Sequence, residues 1–354
     1  MTNILAFRPL KSRPDLTERC AALTTCFAAH RRSESDVFWL KENAELLNIM
    51  ESGGLRPGTV ALAPLGHLYE TILERIAFFP QYYRFFLSIC LDLEDLGMTG
   101  EAGLRMSEWI AAQGLPEGEL SDLQRLEAQR LLARRGVDAM PHDPGLADRV
   151  RRFIRRPHFF AVPNKKAAYE LTHAVFYLSE YGRRDPLIDA ETAQSLHFAG
   201  ILALLDQNVD LLAEICIAMR FAALDVPDYW ESWIARSVQS YELRTGPEAT
   251  VNDDYHSYFM VNWLQAVRGA GAFDGDYSPD RMSFFRMPTE GSALRGLSRS
   301  LLSFDGVRRG DWKSMQAEVE KNLEISALNV LNATEESTPF FDAFFECFAR
   351  TASV

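Results

Sequence analysis

The residues best equipped for chemistry lie in Tyr169-Glu170-Leu171-Thr172-His173, continuing to Tyr177, Glu180 and Tyr181. This run holds a carboxylate and an imidazole at i and i+3. On a helix Glu170, His173, Tyr177 and Glu180 share one face, and Ala168, Leu171, Val175 and Leu178 occupy another. A second pair, Asp253 and His256, has the same spacing, and its face continues through Met260, Trp263 and Val267. An imidazole on so apolar a face is expected to be buried. It then needs partners for both ring nitrogens, and a carboxylate one turn earlier can orient it or share a metal with it.

Carboxylate-histidine pairs on two helices, completed by carboxylates from two others, form the ligand set of di-iron and di-manganese helical proteins. Here the set would be Glu170, His173, Asp253 and His256, with Glu70, Glu74, Asp206, Asp210 and Glu214 available to complete it. The cofactor is then none or a divalent metal such as iron, for which oxygen-dependent oxidation is the natural reaction class. The plainer alternative is a hydrogen-bonded structural pair on each helix.

Other candidates carry less. His197 lies with Ala193, Gly200, Ile201 and Leu204 on an apolar face, His158 follows an arginine run, and His67 has the reversed spacing to Glu70. Arg149, Arg151, Arg152, Arg155 and Arg156 surround Val150, Phe153 and Ile154. That basic helix suits an acidic ligand such as a phosphate, or a solvated face paired with the chain's surplus carboxylates; the second is the commoner use of such runs. Gly269 to Gly275 is one residue too long for a dinucleotide fingerprint and follows a helix, and Gly296-Leu297-Ser298-Arg299-Ser300 lacks the closing glycine of a nucleophile elbow. Walker and H-E-x-x-H motifs are missing too.

With its Thr172-His173 and Tyr255-His256 pairs, the chain resembles uncharacterised bacterial all-helical proteins that carry Thr-His and Tyr-His helix signatures, over about a third of its length. The resemblance implies that the two histidine helices belong together. It implies no activity and lends no functional residue.

The elements that must position these residues are helical. Apolar residues recur at spacings of three and four, and Gly and Pro divide the chain into pieces of helical length. The pattern predicts helices near 14–31, 35–52, 66–78, 80–96, 100–113, 119–135, 144–156, 164–182, 189–206, 208–224, 227–244, 252–268, 291–304, 311–332 and 337–351. Ser35 and Asn164 suit N-caps, Pro80 and Pro227 suit first turns, and Gly53, Gly54, Gly97, Gly114, Gly136 and Gly182 suit helix ends. Short connections favour antiparallel hairpins, so the expected fold is all-α, an irregular bundle or a toroid- or solenoid-like array. Two stretches break the pattern: 157–163, expected to be a short extended piece and a weak boundary between regions 1–156 and 157–354, and 269–290, expected to be a long loop packed by Phe273, Tyr277, Phe284 and Phe285.

With 354 residues and 47% hydrophobic content the chain can bury a large core. Its 37 basic and 49 acidic residues give a net charge of -12, which argues against nucleic acid as a general partner. Cys20, Cys26, Cys90, Cys216 and Cys347 lie in apolar stretches without C-x-x-C spacing and read as small buried hydrophobes. Residues 1–16 lack a signal-peptide core, and no segment reaches ~18 apolar residues, so membrane insertion is not expected and the cytoplasm is. No heptad seam is sustained, and oligomeric state stays open.

The sequence therefore supports two functions. The first is a cytosolic binding or interaction protein with a polar-aromatic cleft between the 164–182 and 252–268 helices, lined by Glu170, His173, Tyr177, Glu180, Asp253 and His256, with an unknown small molecule or protein as partner. The second is a metal-dependent enzyme using Glu170, His173, Asp253 and His256 as ligands, with substrate entering under the 269–290 loop. They separate on whether His173 and His256 meet.

Overall fold

The computed structural model describes residues 14–289 and 291–350. The expectations for the first 13 residues, for residue 290 and for the end of the last helix at 351 lie outside them. The fold is all-α apart from one two-stranded ribbon. The helices are α1 (Leu16–Thr25), α2 (Val37–Ser52), α3 (Thr59–Leu62), α4 (Gly66–Phe78), α5 (Tyr83–Asp95), α6 (Ala102–Ala112), α7 (Asp122–Ala133), α8 (Leu146–Ile154) and α9 (Pro157–Phe160). There follow α10 (Lys165–Leu178), α11 (Ala190–Leu205), α12 (Val209–Phe221), α13 (Asp228–Ser237), α14 (Tyr255–Val267), α15 (Leu294–Leu302), α16 (Trp312–Glu320), α17 (Ile325–Ser337) and α18 (Phe341–Phe348).

Capping side chains set several starts. Asn164 accepts from the Ala167 amide at 3.2 Å, and Asp189 accepts from that of Thr192 at 3.0 Å. Asp36, rather than Ser35, caps α2 through the Phe38 amide at 2.9 Å. Each supplies an acceptor to an amide that has no partner within its own helix.

At the centre lies α12, which packs against α10, α11, α13 and α14. Every residue from Leu211 to Met219 is buried, so it has no solvent face and its one carboxylate in that run, Glu214, is buried as well. The hydrophobic core is one cluster that runs from Cys20 to Ala349. All five cysteines are free thiols, four of them buried, and burial pushes Cys20 up to about 11.

Four stretches differ from the sequence expectation. The 227–244 helix stops at Ser237, and Tyr241–Thr245 (β1) pairs antiparallel with Met282–Arg286 (β2), Leu243 opposite Phe284. The ribbon takes residues 282–286 of the 269–290 loop, whose Phe273 and Phe284 are fully buried. The 157–163 stretch is not extended: Pro157, at a first-turn position, opens α9. The 311–332 helix is two, α16 and α17, broken at residues 321–324.

The segment after α10 also departs from helix. It ends at Leu178, and Glu180, Tyr181 and Gly182 all have positive φ, 49°, 53° and 81°. Left-handed backbone costs a non-glycine residue roughly 1–2 kcal/mol. The turn places the Tyr181 ring against Phe176, Trp263 and Phe221, at centroid distances of 5.8, 5.9 and 6.3 Å. Among the described residues no helix is long and apolar enough to cross a membrane.

Candidate functional site

His173 and His256 meet at one carboxylate. His173 Nε2 is 3.8 Å from Glu214 Oε2, and His256 Nε2 is 3.8 Å from Glu214 Oε1. The second imidazole also lies 3.9 Å from Asp210 Oδ2, and its Nδ1 lies 3.5 Å from Glu45 Oε1. Four helices contribute: α2 gives Glu45, α10 His173, α12 Asp210 and Glu214, and α14 His256. The carboxylates and imidazoles form a chain from Glu45 through His256 and Glu214 to His173.

Each carboxylate is held by a hydroxyl from a histidine helix. Thr172 donates to Glu214 Oε2 at 2.6 Å, Tyr169 to Asp210 Oδ2 at 2.6 Å and Tyr255 to Glu45 Oε2 at 2.9 Å. The Thr172-His173 and Tyr255-His256 pairs thus have one geometric rule: the hydroxyl fixes the carboxylate that the next residue's imidazole approaches. Short hydrogen bonds to ionised acceptors are strong ones.

Electrostatics follow from burial. Desolvation raises the pKa of Glu214, against the opposing pull of His173, His256 and the Thr172 hydroxyl. Burial works against the charged form of His256, but Glu45, Glu214 and Asp210 outweigh it and the pKa ends above the ordinary histidine value. Partial burial works against the charged form of half-buried Glu45, yet His256, Lys41 and Tyr255 hold it below the usual range. A buried acid made reluctant to ionise beside an imidazole made ready to protonate is an arrangement that can hold or pass a proton.

This chain lines a cleft of about 210 Å³. Its polar side has Lys41, Glu45, His173, Glu214 and His256, and its aromatic side has Phe85, Phe176, Tyr177, Tyr181 and Trp263. Tyr177 lies 5.9 Å from the His173 ring at an interplanar angle of 24°, and Phe176 meets Trp263 edge-on at 5.0 Å. Burial pushes the phenols of Tyr177 and Tyr181 well above their ordinary values, so both stay protonated. Trp263 Nε1 is buried without a hydrogen-bond partner among the described residues.

Of the expected cleft residues, His173, Tyr177 and His256 line it, while Glu170, Glu180 and Asp253 do not. Glu170 is half-buried and faces Lys166 at 4.0 Å. Glu180 lies in the left-handed turn, 3.2 Å from Arg130 Nε. Asp253 precedes the first turn of α14 and so never shares a helical face with His256. It accepts from Arg31 at 2.9 and 3.0 Å and from the Phe284 amide at 2.8 Å. That use of both oxygens removes it from the expected ligand set of Glu170, His173, Asp253 and His256.

The carboxylates that do join the histidines are Asp210 and Glu214, from the wider pool, and Glu45, which the sequence did not single out. Glu70 and Glu74 are exposed, and Asp206 pairs with Lys165 at 3.0 Å. Among the described residues no three or more His, Cys, Asp and Glu side chains are arranged to hold a metal ion. No described residue of the 269–290 stretch lines the cleft.

Two further histidines meet aromatic rings away from the cleft. His197 stacks on Phe340 at 4.1 Å, lies 3.3 Å from the Thr338 hydroxyl, and burial lowers its pKa to about 4. Exposed His158 lies 4.2 Å from the exposed Phe159 ring at an interplanar angle of 54°. In the arginine run, Arg149 is bidentate to both Asp122 and Asp143, Arg151 reaches Asp148, and Arg155 pairs with Asp189.

No curated protein and no solved structure matches the chain. A family model does, over residues 1–351, and the chain accordingly belongs to the family described as a domain of unknown function, DUF6902.

Proposed function

We propose that this chain is a binding protein whose cleft between α10 and α14 takes a small aromatic molecule with a proton-donating nitrogen. The observation that carries the reading is the convergence of His173 and His256 on the buried Glu214 carboxylate, facing a wall of aromatic rings. At about 210 Å³ the space is small against the ~300–1,000 Å³ of typical ligand sites, which limits the occupant's size. Rings stack on Phe176, Tyr177 and Trp263. A cationic or N–H-bearing end offsets the desolvation of Glu214 and Glu45.

The test titrates tyramine and its carboxylate counterpart 3-(4-hydroxyphenyl)propionate into wild type, His173→Ala and His256→Ala, monitored by ligand-observed NMR. Preference for the amine, weakened in both variants, is the expected result. Equal behaviour of wild type and both variants removes the cleft from consideration.

A second reading, a metal-dependent enzyme, has one observation in its favour: both imidazoles approach Glu214 at 3.8 Å, and Asp210 lies 3.9 Å from His256. It requires these side chains to rotate until each reaches ~2 Å from a shared ion. Elemental analysis of protein purified without chelator or a metal-binding tag separates the two. Stoichiometric iron, manganese or zinc that is lost in the His173→Ala/His256→Ala variant favours the metal reading, and metal-free protein after reconstitution ends it.

A further inference from the structure

Behind the tyrosine wall of the cleft lies a larger space. The Arg130 guanidinium sits 4.5 Å from the Tyr181 ring centroid and 5.9 Å from that of Tyr177, and the same residue lines a cavity of about 720 Å³ together with Arg151 and Arg184. Arg130 is 4% exposed. Its one carboxylate contact among the described residues is Glu180, 3.2 Å from Nε, and neither Nε nor Nη2 makes a hydrogen bond of good geometry. A guanidinium has five donors, and burying them unused is unfavourable.

The two other arginines are held in place without being neutralised in full. Arg184 Nε donates to the Leu178 carbonyl at 2.9 Å, and no carboxylate lies within ion-pair distance of it among the described residues. Arg151 Nε donates to the Pro186 carbonyl at 3.1 Å, and Nη1 reaches Asp148, itself exposed, at 3.1 Å. Three acids line the cavity beside the three arginines: one oxygen of Asp185 takes the Leu187 amide at 2.8 Å, one of Asp138 the Met140 amide at 3.3 Å, and Glu180 faces Arg130 at 3.2 Å. Main-chain carbonyls thus fix two guanidinium groups beside a third that is buried and short of acceptors.

We propose that this cavity is an oxyanion site, in which Arg130, Arg151 and Arg184 bind the phosphate or carboxylate group of a small molecule. Guanidinium forks match both groups in geometry and charge, and the three come from separate, fixed positions on α7, α8 and the turn after α10. The site is independent of the cleft reading, since His173, Glu214 and His256 take no part in it. Arg149, on the same helix as Arg151 but saturated by two aspartates, is the internal control.

Calorimetric titration with inorganic phosphate and, separately, with citrate tests the proposal at low ionic strength. Wild type is expected to bind at least one; binding of phosphate alone assigns a phosphate ligand, and of citrate alone a polycarboxylate. Arg151→Gln and Arg184→Gln each weaken that binding several-fold and together by about tenfold or more, while Arg149→Gln leaves it unchanged. Arg130→Met abolishes it if that variant melts like wild type, and the two rim variants carry the test if it does not. Silence of wild type toward both anions, or equal binding by the Arg151→Gln/Arg184→Gln double variant, overturns the assignment.

Discussion

Replacing Thr172 with valine keeps the shape of the side chain and removes the hydroxyl that donates to Glu214 Oε2 at 2.6 Å. The same hydroxyl lies 2.9 Å from the Tyr169 carbonyl, and its single proton serves one acceptor at a time. If it serves the ionised Glu214, the bond is charge-assisted and worth ~1.5–3 kcal/mol; if Glu214 is protonated, ~0.5–1.5 kcal/mol. For a chain of 354 residues the unfolding entropy is about 0.7 kcal/mol/K, so a loss of ~2 kcal/mol lowers Tm by ~3 °C. The pH dependence has a definite sign. A carboxylate whose folded pKa is raised loses stability as pH climbs from its unfolded value through the folded one, and Thr172→Val raises that pKa further. The penalty is therefore larger at pH 7.5 than at pH 5. Paired thermal melts of wild type and Thr172→Val at the two pH values, with Thr172→Ser retaining the hydroxyl, measure it. A penalty below ~0.5 kcal/mol and equal at both pH values assigns the proton to Tyr169 and refutes the role given to Thr172.

Three further outcomes follow from the same geometry. His256→Gln removes a group whose folded pKa lies above 6.5, so the stability it confers is fully present below that pH and lost as pH rises through the folded value; the Tm gap between wild type and variant should shrink from pH 6 to pH 9, and a constant gap contradicts the charge assigned to His256. Arg31→Met leaves the buried Asp253 carboxylate without its cation at 2.9 Å and takes from Glu42 one of its two arginines, Arg32 remaining at 2.6 Å; it is expected to cost about 3–5 kcal/mol in a denaturant melt, with a loss under ~1 kcal/mol counting against the network. Gly200→Ala would put a Cβ 2.2 Å from the fully buried Trp230 ring and should destabilise by ~1–3 kcal/mol, which a wild-type melting curve would disprove.

The sequence made the two histidine helices legible because a helical face is a local property. His256, Met260 and Trp263 recur at one-turn spacing and do share the cleft, as do His173 and Tyr177. The carboxylate partners were not legible by the same rule. Asp253 has the right spacing to His256 but stands before the helix begins, and its partner Arg31 is 222 residues away in sequence. Likewise Tyr241 to Thr245 is too short a run for its alternation to outweigh the helical pattern ahead of it, and the strand exists through pairing with residues 282–286.

What could have found the partners is a different signal, the cost of burial. Glu214 sits in Leu212-Ala213-Glu214-Ile215 and Glu45 in Asn43-Ala44-Glu45-Leu46-Leu47, both in helices that are otherwise largely apolar. A carboxylate there must find a donor and a positive charge or lose its own. The chain offers few hydroxyl-imidazole neighbours on apolar helices, and Thr172-His173 and Tyr255-His256 are two of them. Matching each pair to an acid that is shielded from water and needs both a hydrogen bond and a cation gives Thr172 and His173 on Glu214, and Tyr255 and His256 on Glu45. Since His256 also reaches Glu214, the two matched sets become one chain, and the site follows from satisfying one buried and one half-buried carboxylate rather than from the i, i+3 spacing that first drew attention to it.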